Sequence, residues 1–580
     1  MLRRGGWGSD ILLVISLLVI FFGFNLGGRA LWSPVEGRYS EIPREMVATG
    51  DYLTPRLNGV KYFEKPPLFY WLQASSIKLF GLKEWSLRLW AALFAVLGCL
   101  AVYAAGRELL GRRAGWIAAV ILASSPLYYA MGRVITVDMA LSFFLTCALF
   151  AFLIGVKTPP GRSRRFLLWS FYICVALATL TKGLVGIVLP ALVIGSWIAL
   201  VGEGKLLKTI YLPSGIFLFA AIAAPWHVMV SRANPEFVRF YFIHEHLRRF
   251  LAENQTPLHE AWAYLPVLLI GFFPWFAFLI QSFKNSVDFS WDQRRNHKEE
   301  LFLCLWPVLI FLFFSASGSQ LFTYILPAFP PLALLIGRTF SSWWNTKAAP
   351  GFRSGVWAAT IAMILLGVLG FGGLQHGLER YSNWPSLEAP SDDTTIPSTK
   401  LTSYPDLEPM RPYLYAQTAL LLCGAAALVW ARRRGLRAVF PVSAATIGLL
   451  LVVVDSGFPL LDDRRSLKNL ALALKPQLQL ADEVATYRAY YQDLPVYLGR
   501  LVTVVEWRGE LDFGIRAEDV SGWMIDDAEF WRRWNGRARM YAVTDRENYD
   551  RLLGRGGPNV HLVAKNDYNV VVTNQPRVMK

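Results

Sequence analysis

Apolar runs of bilayer length recur through the first ~460 residues of this chain, and a run of ~20 such residues fits a membrane-spanning helix. Composition agrees: 54% of the 580 residues are hydrophobic and 17% are charged, against about 25% charged in soluble domains. A soluble enzyme, a disordered protein and a secreted disulfide scaffold are excluded. What remains is a polytopic α-helical membrane protein. Spans are read near residues 11–27, 85–105, 116–132, 139–156, 166–181, 184–201, 209–228, 262–283, 301–316, 322–338, 355–373, 413–431 and 438–456. That makes about thirteen, with boundaries good to a few residues.

The net charge of +16 raises the question of nucleic acid, but its placement answers it. Basic residues gather in every second loop: Arg107, Arg112 and Arg113, then Arg162, Arg164 and Arg165, then Lys205 and Lys208, and so on to Arg432–Arg434. Cytoplasmic loops carry this excess, so the charge sets topology and implies no nucleic acid. Arg3 and Arg4 put the N-terminus on the inner side, and about thirteen spans put the C-terminus outside. The apolar run Ile11–Phe24 is a first span rather than a cleaved signal peptide, because no clean small-x-small cleavage site follows it. All five cysteines lie inside apolar runs, which implies buried thiols and no disulfide.

The division expected is a membrane domain, 1–458, with outer loops 29–83 and 229–259, and an outer α/β domain, 459–580. Short alternating apolar segments after residue 459, such as Leu501–Val505, Met540–Val543 and Val560–Ala564, read as strands. Asp526–Trp534 and Asp545–Leu553 read as helices between them. In the first outer loop, Arg44–Gly50 and Pro67–Phe80 read as helices lying at the interface. The loop Gln375–Arg411 is polar and Pro-rich, and no chemistry is assigned to it.

Ionisable residues beside a membrane are costly unless they have a partner or a task. The first loop holds Trp32-Ser-Pro-Val-Glu-Gly-Arg-Tyr39 and Tyr62-Phe-Glu-Lys-Pro-Pro67. Other outer ends add Asp138, Lys182, His244-Glu-His246-Leu-Arg-Arg249 and Tyr324. Each has an ordinary alternative: an interfacial belt, a helix cap at Asp138, a snorkelling Lys182. Together they place cations and carboxylates on one membrane face, which suits an anionic, lipid-linked substrate.

These residues carry a resemblance. The pattern from Trp32 through Glu36, Arg38, Tyr39 and Glu45, then Tyr62-Phe-Glu-Lys-Pro66, resembles the aminoarabinose lipid A transferases. More broadly it resembles the protein O-mannosyltransferase superfamily of GT-C membrane glycosyltransferases. The likeness continues through Asp138, Thr181-Lys-Gly183, Glu245-His246, Phe272-Phe-Pro-Trp275 and Thr323-Tyr-Ile-Leu-Pro327. It implies a bacterial inner-membrane enzyme with a periplasmic C-terminal domain. A sugar, best read as 4-amino-4-deoxy-L-arabinose, would pass from undecaprenyl phosphate to a lipid A phosphate on the periplasmic side. No nucleotide is implied. Arg38, Tyr39, Lys65, Lys182, Arg248, Arg249 and Tyr324 would bind substrate, and Glu36 and Asp138 would serve catalysis. Family members with a metal here also imply a structural zinc held by Glu64, His244 and His246.

Two departures from the pattern matter. Val35 stands where the family usually has Asp, and Gln320 lies in a segment that tends to carry Lys. Valine can neither ionise nor accept a proton. Compensation by Glu36 and Asp138, a changed substrate, or an impaired relative are the readings open. A lipid phosphate is already anionic near neutral pH and needs no strong base, whereas a hydroxyl acceptor does. The rival readings are transfer of another polyprenyl-linked sugar to lipid or protein, and a lipid-linked anion transporter. A transporter would put its polar residues near the midplane in broken helices, not at outer ends.

Overall fold

The computed structural model describes residues 6–248, 262–287, 290–346, 351–376 and 408–576, with backbone alone for 246–248, 371–376 and 408. Each apolar run of the sequence falls on helix. Among the described residues, seven helices are long and apolar enough to cross a membrane, or eight if one bent pair is a single span. The apolar helices Trp7–Gly23 and Val185–Val201 are shorter.

Proline and the residues around it account for the irregular spans. The run near 116–132 divides into Arg112–Ala123 and Pro126–Met131 at Ser124-Ser125-Pro126. Proline lacks the N–H that would continue the ladder and restricts the residue before it. The run near 262–283 bends by 103° between Tyr264–Gly271 and Trp275–Ser286, at Pro274. The run near 322–338 begins as the tighter 3-10 turn Phe322–Ala328 before the α-helix Phe329–Trp343.

The first outer loop is more helical than expected. Its first helix runs Val35–Thr49, not from Arg44, and Pro43 lies inside it. Tertiary packing overrides the proline: Glu36, Tyr39, Ile42 and Met46 are all buried. The second helix, Leu68–Phe80, agrees with the sequence reading. Between them β1 (Arg56–Leu57) and β2 (Val60–Lys61) form a tight antiparallel hairpin.

After the helix Leu436–Gly457 comes a six-stranded sheet. Its strands are β3 (Glu483–Tyr487), β4 (Thr503–Val505), β5 (Met524–Ile525), β6 (Met540–Asp545), β7 (His561–Lys565) and β8 (Asn569–Thr573). The order is β5-β4-β3-β6-β8-β7; the first four are parallel and β8 runs antiparallel to both neighbours. Helices Asp527–Trp534 and Arg546–Gly556 match the expected pair, each capped by an aspartate, Asp526 and Asp545, that accepts a backbone N–H.

The sheet-bearing part docks on the first outer loop through consecutive residues. Ala30 N–H and Trp32 Nε1 donate to Asp462 at 2.8 and 2.9 Å. Leu31 N–H donates to the Tyr497 hydroxyl at 2.7 Å, and the Ser33 hydroxyl donates to Asp493 at 2.6 Å. One apolar core runs across this seam, from Phe22 and Leu145 to Leu494 and Val504.

Gly37 allows the closest approach. A Cβ there would lie 2.5 Å from the Asp493 backbone nitrogen, too near for any side chain. Gly37→Ala should therefore lower the thermal midpoint of the purified protein and open the seam to protease, at a cost of about 1–3 kcal/mol. Gly448→Ala, whose Cβ meets only Phe21 at 4.0 Å, should do neither. Equal midpoints for the two variants would contradict the close contact.

Candidate functional site

Helix lengths bring the first two site residues together. Helices Val137–Lys157 and Arg162–Lys182 are 21 residues each and are joined by a short connection. An antiparallel pair of equal length returns the chain to its starting level, so Asp138 in the first turn of one faces Lys182 in the last turn of the other. The dipoles favour this placement, an anion at an N-terminus and a cation at a C-terminus. The Thr136 side chain caps the first helix by accepting the Asp138 N–H. Lys182 Nζ donates to Asp138 Oδ1 in a short ion pair. The same ammonium sits 4.2 Å from the centre of the Tyr324 ring, a contact that holds a cation without neutralising it. Three expected residues from three elements thus form one cluster.

The first outer loop supplies a second group. Lys65 Nζ pairs with Glu245 at 2.7 Å, tying this loop to the second long one. Glu64 lies at 3.9 Å from the same ammonium. Arg38 donates to the Tyr62 hydroxyl at 3.3 Å and pairs with Glu510, from the sheet-bearing part, at 3.3 Å. Tyr39 stacks on Tyr70 with ring centres 5.9 Å apart. Burial pushes the Tyr39 phenol up to about 12, against the pull of the Lys65 and Arg38 cations and with the push of Asp138 and Glu64.

Glu36, expected to serve catalysis, lies in a buried ion network. It is 1% exposed, and both its oxygens are taken. Arg29 grips it at 2.5 and 3.0 Å, Arg88 at 2.9 and 3.0 Å, and the backbone N–H groups of Trp32 and Ile135 add bonds at 3.2 Å. A carboxylate so engaged ties the first outer loop to the helix that carries Arg88 and to the backbone at Ile135. Burial alone would push its carboxyl up; the two guanidinium charges prevail and hold it at about 2. Val35, next to it, is 39% exposed.

The expected zinc ligands are only partly described, since the side chain of His246 lies outside the described residues. Among the described residues no three His, Cys, Asp or Glu side chains gather to hold a metal. His244 is exposed, its ring stacked on Phe240 at 5.3 Å, in the wall of a concave space of about 460 Å³ beside Phe513. The side chains of His246 and Arg248, and all of Arg249, lie outside the described residues.

Sequence reading gave no role to Arg29, Arg88, Glu245 or Glu510. Arg88 carried a signal: an arginine inside the apolar helix Glu84–Leu110 demands a buried partner. Glu510 carried none, since only the docking of the sheet-bearing part brings it to Arg38.

The family described as dolichyl-phosphate-mannose-protein mannosyltransferase matches residues 64–229, and the aminoarabinose transferase C-terminal domain matches residues 470–574. The undecaprenyl phosphate-α-4-amino-4-deoxy-L-arabinose arabinosyl transferase of Pectobacterium atrosepticum is 29% identical over 570 residues, covering 94% of this chain and 95% of that protein. Its namesake in Aeromonas hydrophila is 32% identical over 359 residues, covering 61% of this chain and 64% of its own length. The crystal structure of ArnT from Cupriavidus metallidurans bound to undecaprenyl phosphate superposes with a TM-score of 0.83 at 28% identity, covering 98% of this chain and 99% of that one.

The grip on Glu36 has a pH signature. Its folded pKa lies below the ordinary 4.5, so its stabilisation is complete above about 4.5 and is lost as the pH falls toward about 2. Glu36→Gln should cost about 3–5 kcal/mol at neutral pH, because it leaves two buried guanidinium groups without an anion. Its stability gap to the native chain, followed by tryptophan fluorescence, should close as the pH falls through that window. A gap independent of pH would contradict the charge pairing.

Proposed function

The chain belongs to the aminoarabinose transferase family, within the protein O-mannosyltransferase-like GT-C glycosyltransferases, and from that premise we propose that it moves 4-amino-4-deoxy-L-arabinose from undecaprenyl phosphate to a lipid A phosphate. The observation that carries this reading is the Asp138–Lys182–Tyr324 cluster at the ends of its helices.

In the reaction, the bond between the sugar's anomeric carbon and the donor phosphate oxygen breaks. A lipid A phosphate oxygen makes the new bond to that carbon, and undecaprenyl phosphate leaves with the electron pair. Charge grows on the departing phosphate, so a cation fixed beforehand stabilises the transition state more than the ground state. Lys182 fills that role: Asp138 and the Tyr324 ring hold its ammonium in place, and an arriving phosphate replaces one anionic neighbour with another. Lys65 and Arg38, held by Glu245 and Glu510, offer the same exchange to the acceptor phosphate. That acceptor is already an anion and needs no base, which accommodates Val35.

A transporter places its polar groups at midplane breaks. Here the charges sit in the first turn of one helix and the last turn of the next, which favours chemistry at the surface. The finer topology proposed has about thirteen spans, N-terminus in the cytoplasm and sheet-bearing part in the periplasm.

Mass spectrometry of lipid A from cells with and without the chain tests the function. The expected result is a species heavier by one aminoarabinose, reduced ~10²-fold or more by Asp138→Asn or Lys182→Met. A different added mass would name another donor sugar, and full activity in both variants would remove the cluster from the mechanism.

Topology has its own test, in a background lacking the five cysteines. A cysteine at Arg532, whose side chain is 73% exposed, should react with a membrane-impermeant reagent in intact, outer-permeabilised cells. One at Lys205, in the exposed turn Gly204–Lys208, should not. The reverse pattern would invert the orientation and end the lipid A reading.

A further inference from the structure

A concave space of about 330 Å³ opens where the start of helix Glu84–Leu110 meets the sheet-bearing part, and it shares no lining residue with the cluster at Lys182. Its floor is apolar, formed by Leu31, Leu87 and Val496. Its rim carries Lys83, Lys468 and Lys475 against Glu84 alone, three cations to one carboxylate. Glu84 pairs with Lys468 at 2.5 Å, and Lys475 Nζ donates to the Tyr497 carbonyl at 2.9 Å. The rim therefore keeps a surplus of positive charge after its own ion pair is counted.

Its depth says what that charge is for. Glu84 is the first residue of a 27-residue helix long and apolar enough to cross a membrane, and a span beginning there would set the rim near the headgroups. Beside it Leu79, Phe80, Leu82 and Trp85 remain exposed at the same boundary, as acyl chains would require. Cations above an apolar skirt complement a phosphate above two acyl chains, and lysine at a membrane surface attracts anionic lipid.

We propose that this space binds the phosphate headgroup of an anionic glycerophospholipid, which bridges the membrane helix at Lys83 to the sheet-bearing part at Lys475. The bound lipid acts as a strap across the seam. The proposal stands on the seam and its charges and does not rest on the transfer reaction.

Native mass spectrometry of the full-length protein, loaded with equal phosphatidylglycerol and phosphatidylcholine, tests it. The native chain should retain phosphatidylglycerol preferentially. The double variant K83Q/K475Q leaves the Glu84–Lys468 pair intact and should lose that preference by about tenfold or more. K83R/K475R should keep it. Equal retention of the two lipids by the native chain overturns the proposal, as does an undiminished preference in K83Q/K475Q. Displacement of the phosphatidylglycerol by inorganic phosphate or by lipid A overturns it too, the first making the space a free-anion site and the second an acceptor site.

Discussion

The grip of Arg29 and Arg88 on Glu36 is the constraint on which the outer half of the molecule depends. Arg88 leaves an apolar helix and donates to the carbonyls of Leu26, Arg29 and Ala30 as well as to Glu36. Arg29 donates onward to the Arg133 carbonyl, and Arg133 pairs with Asp455 on the helix Leu436–Gly457 through two bonds of 2.9 Å. One buried chain of charges therefore joins the first outer loop to membrane helices far apart in sequence. Such pairs add little net stability against an apolar alternative, but losing one member strands the others. What they provide is a fixed entry angle for the loop, whose next residues dock the sheet-bearing part.

The site depends on that docking in a second way. Arg38 faces Glu510 only because the sheet-bearing part sits on the loop, and Lys65 faces Glu245 only because the second long loop closes over the first. Phe63, Trp226, Phe237 and Tyr241 form the small apolar core that joins those two loops. Lys182, Arg38 and Lys65 are thus each held by a carboxylate from another element. Cations held in place beforehand need only exchange one anionic neighbour for another when a phosphate arrives, which favours electrostatic stabilisation of a leaving group.

Legibility differed by the range of the interaction. Apolar runs announced the helices, because the bilayer imposes a length and a composition on each span locally. Asp138, Lys182 and Tyr324 were legible as candidates from their places at helix ends and from the family pattern. The strands β4, β6 and β7 were legible from alternation, whereas β3 and β8 were not named, being nearly or wholly buried runs with weaker alternation. Pro43 misled the reading of the first loop, since a proline interior to a helix is read locally as a boundary while the buried face around it decides otherwise.

The sequence by itself determined a many-helix membrane protein with a strand-bearing C-terminal part, and a family pattern concentrated in its first outer loop. Both are local properties, written in runs of residues that each meet one solvent. Tertiary structure alone decided which charges meet. It buried Glu36 between Arg29 and Arg88, paired Asp138 with Lys182, stacked His244 on Phe240, and brought Glu510 to Arg38. A side chain's role here follows from its partner, and partners tens to hundreds of residues apart are chosen by how the helices pack and where the loops fold back.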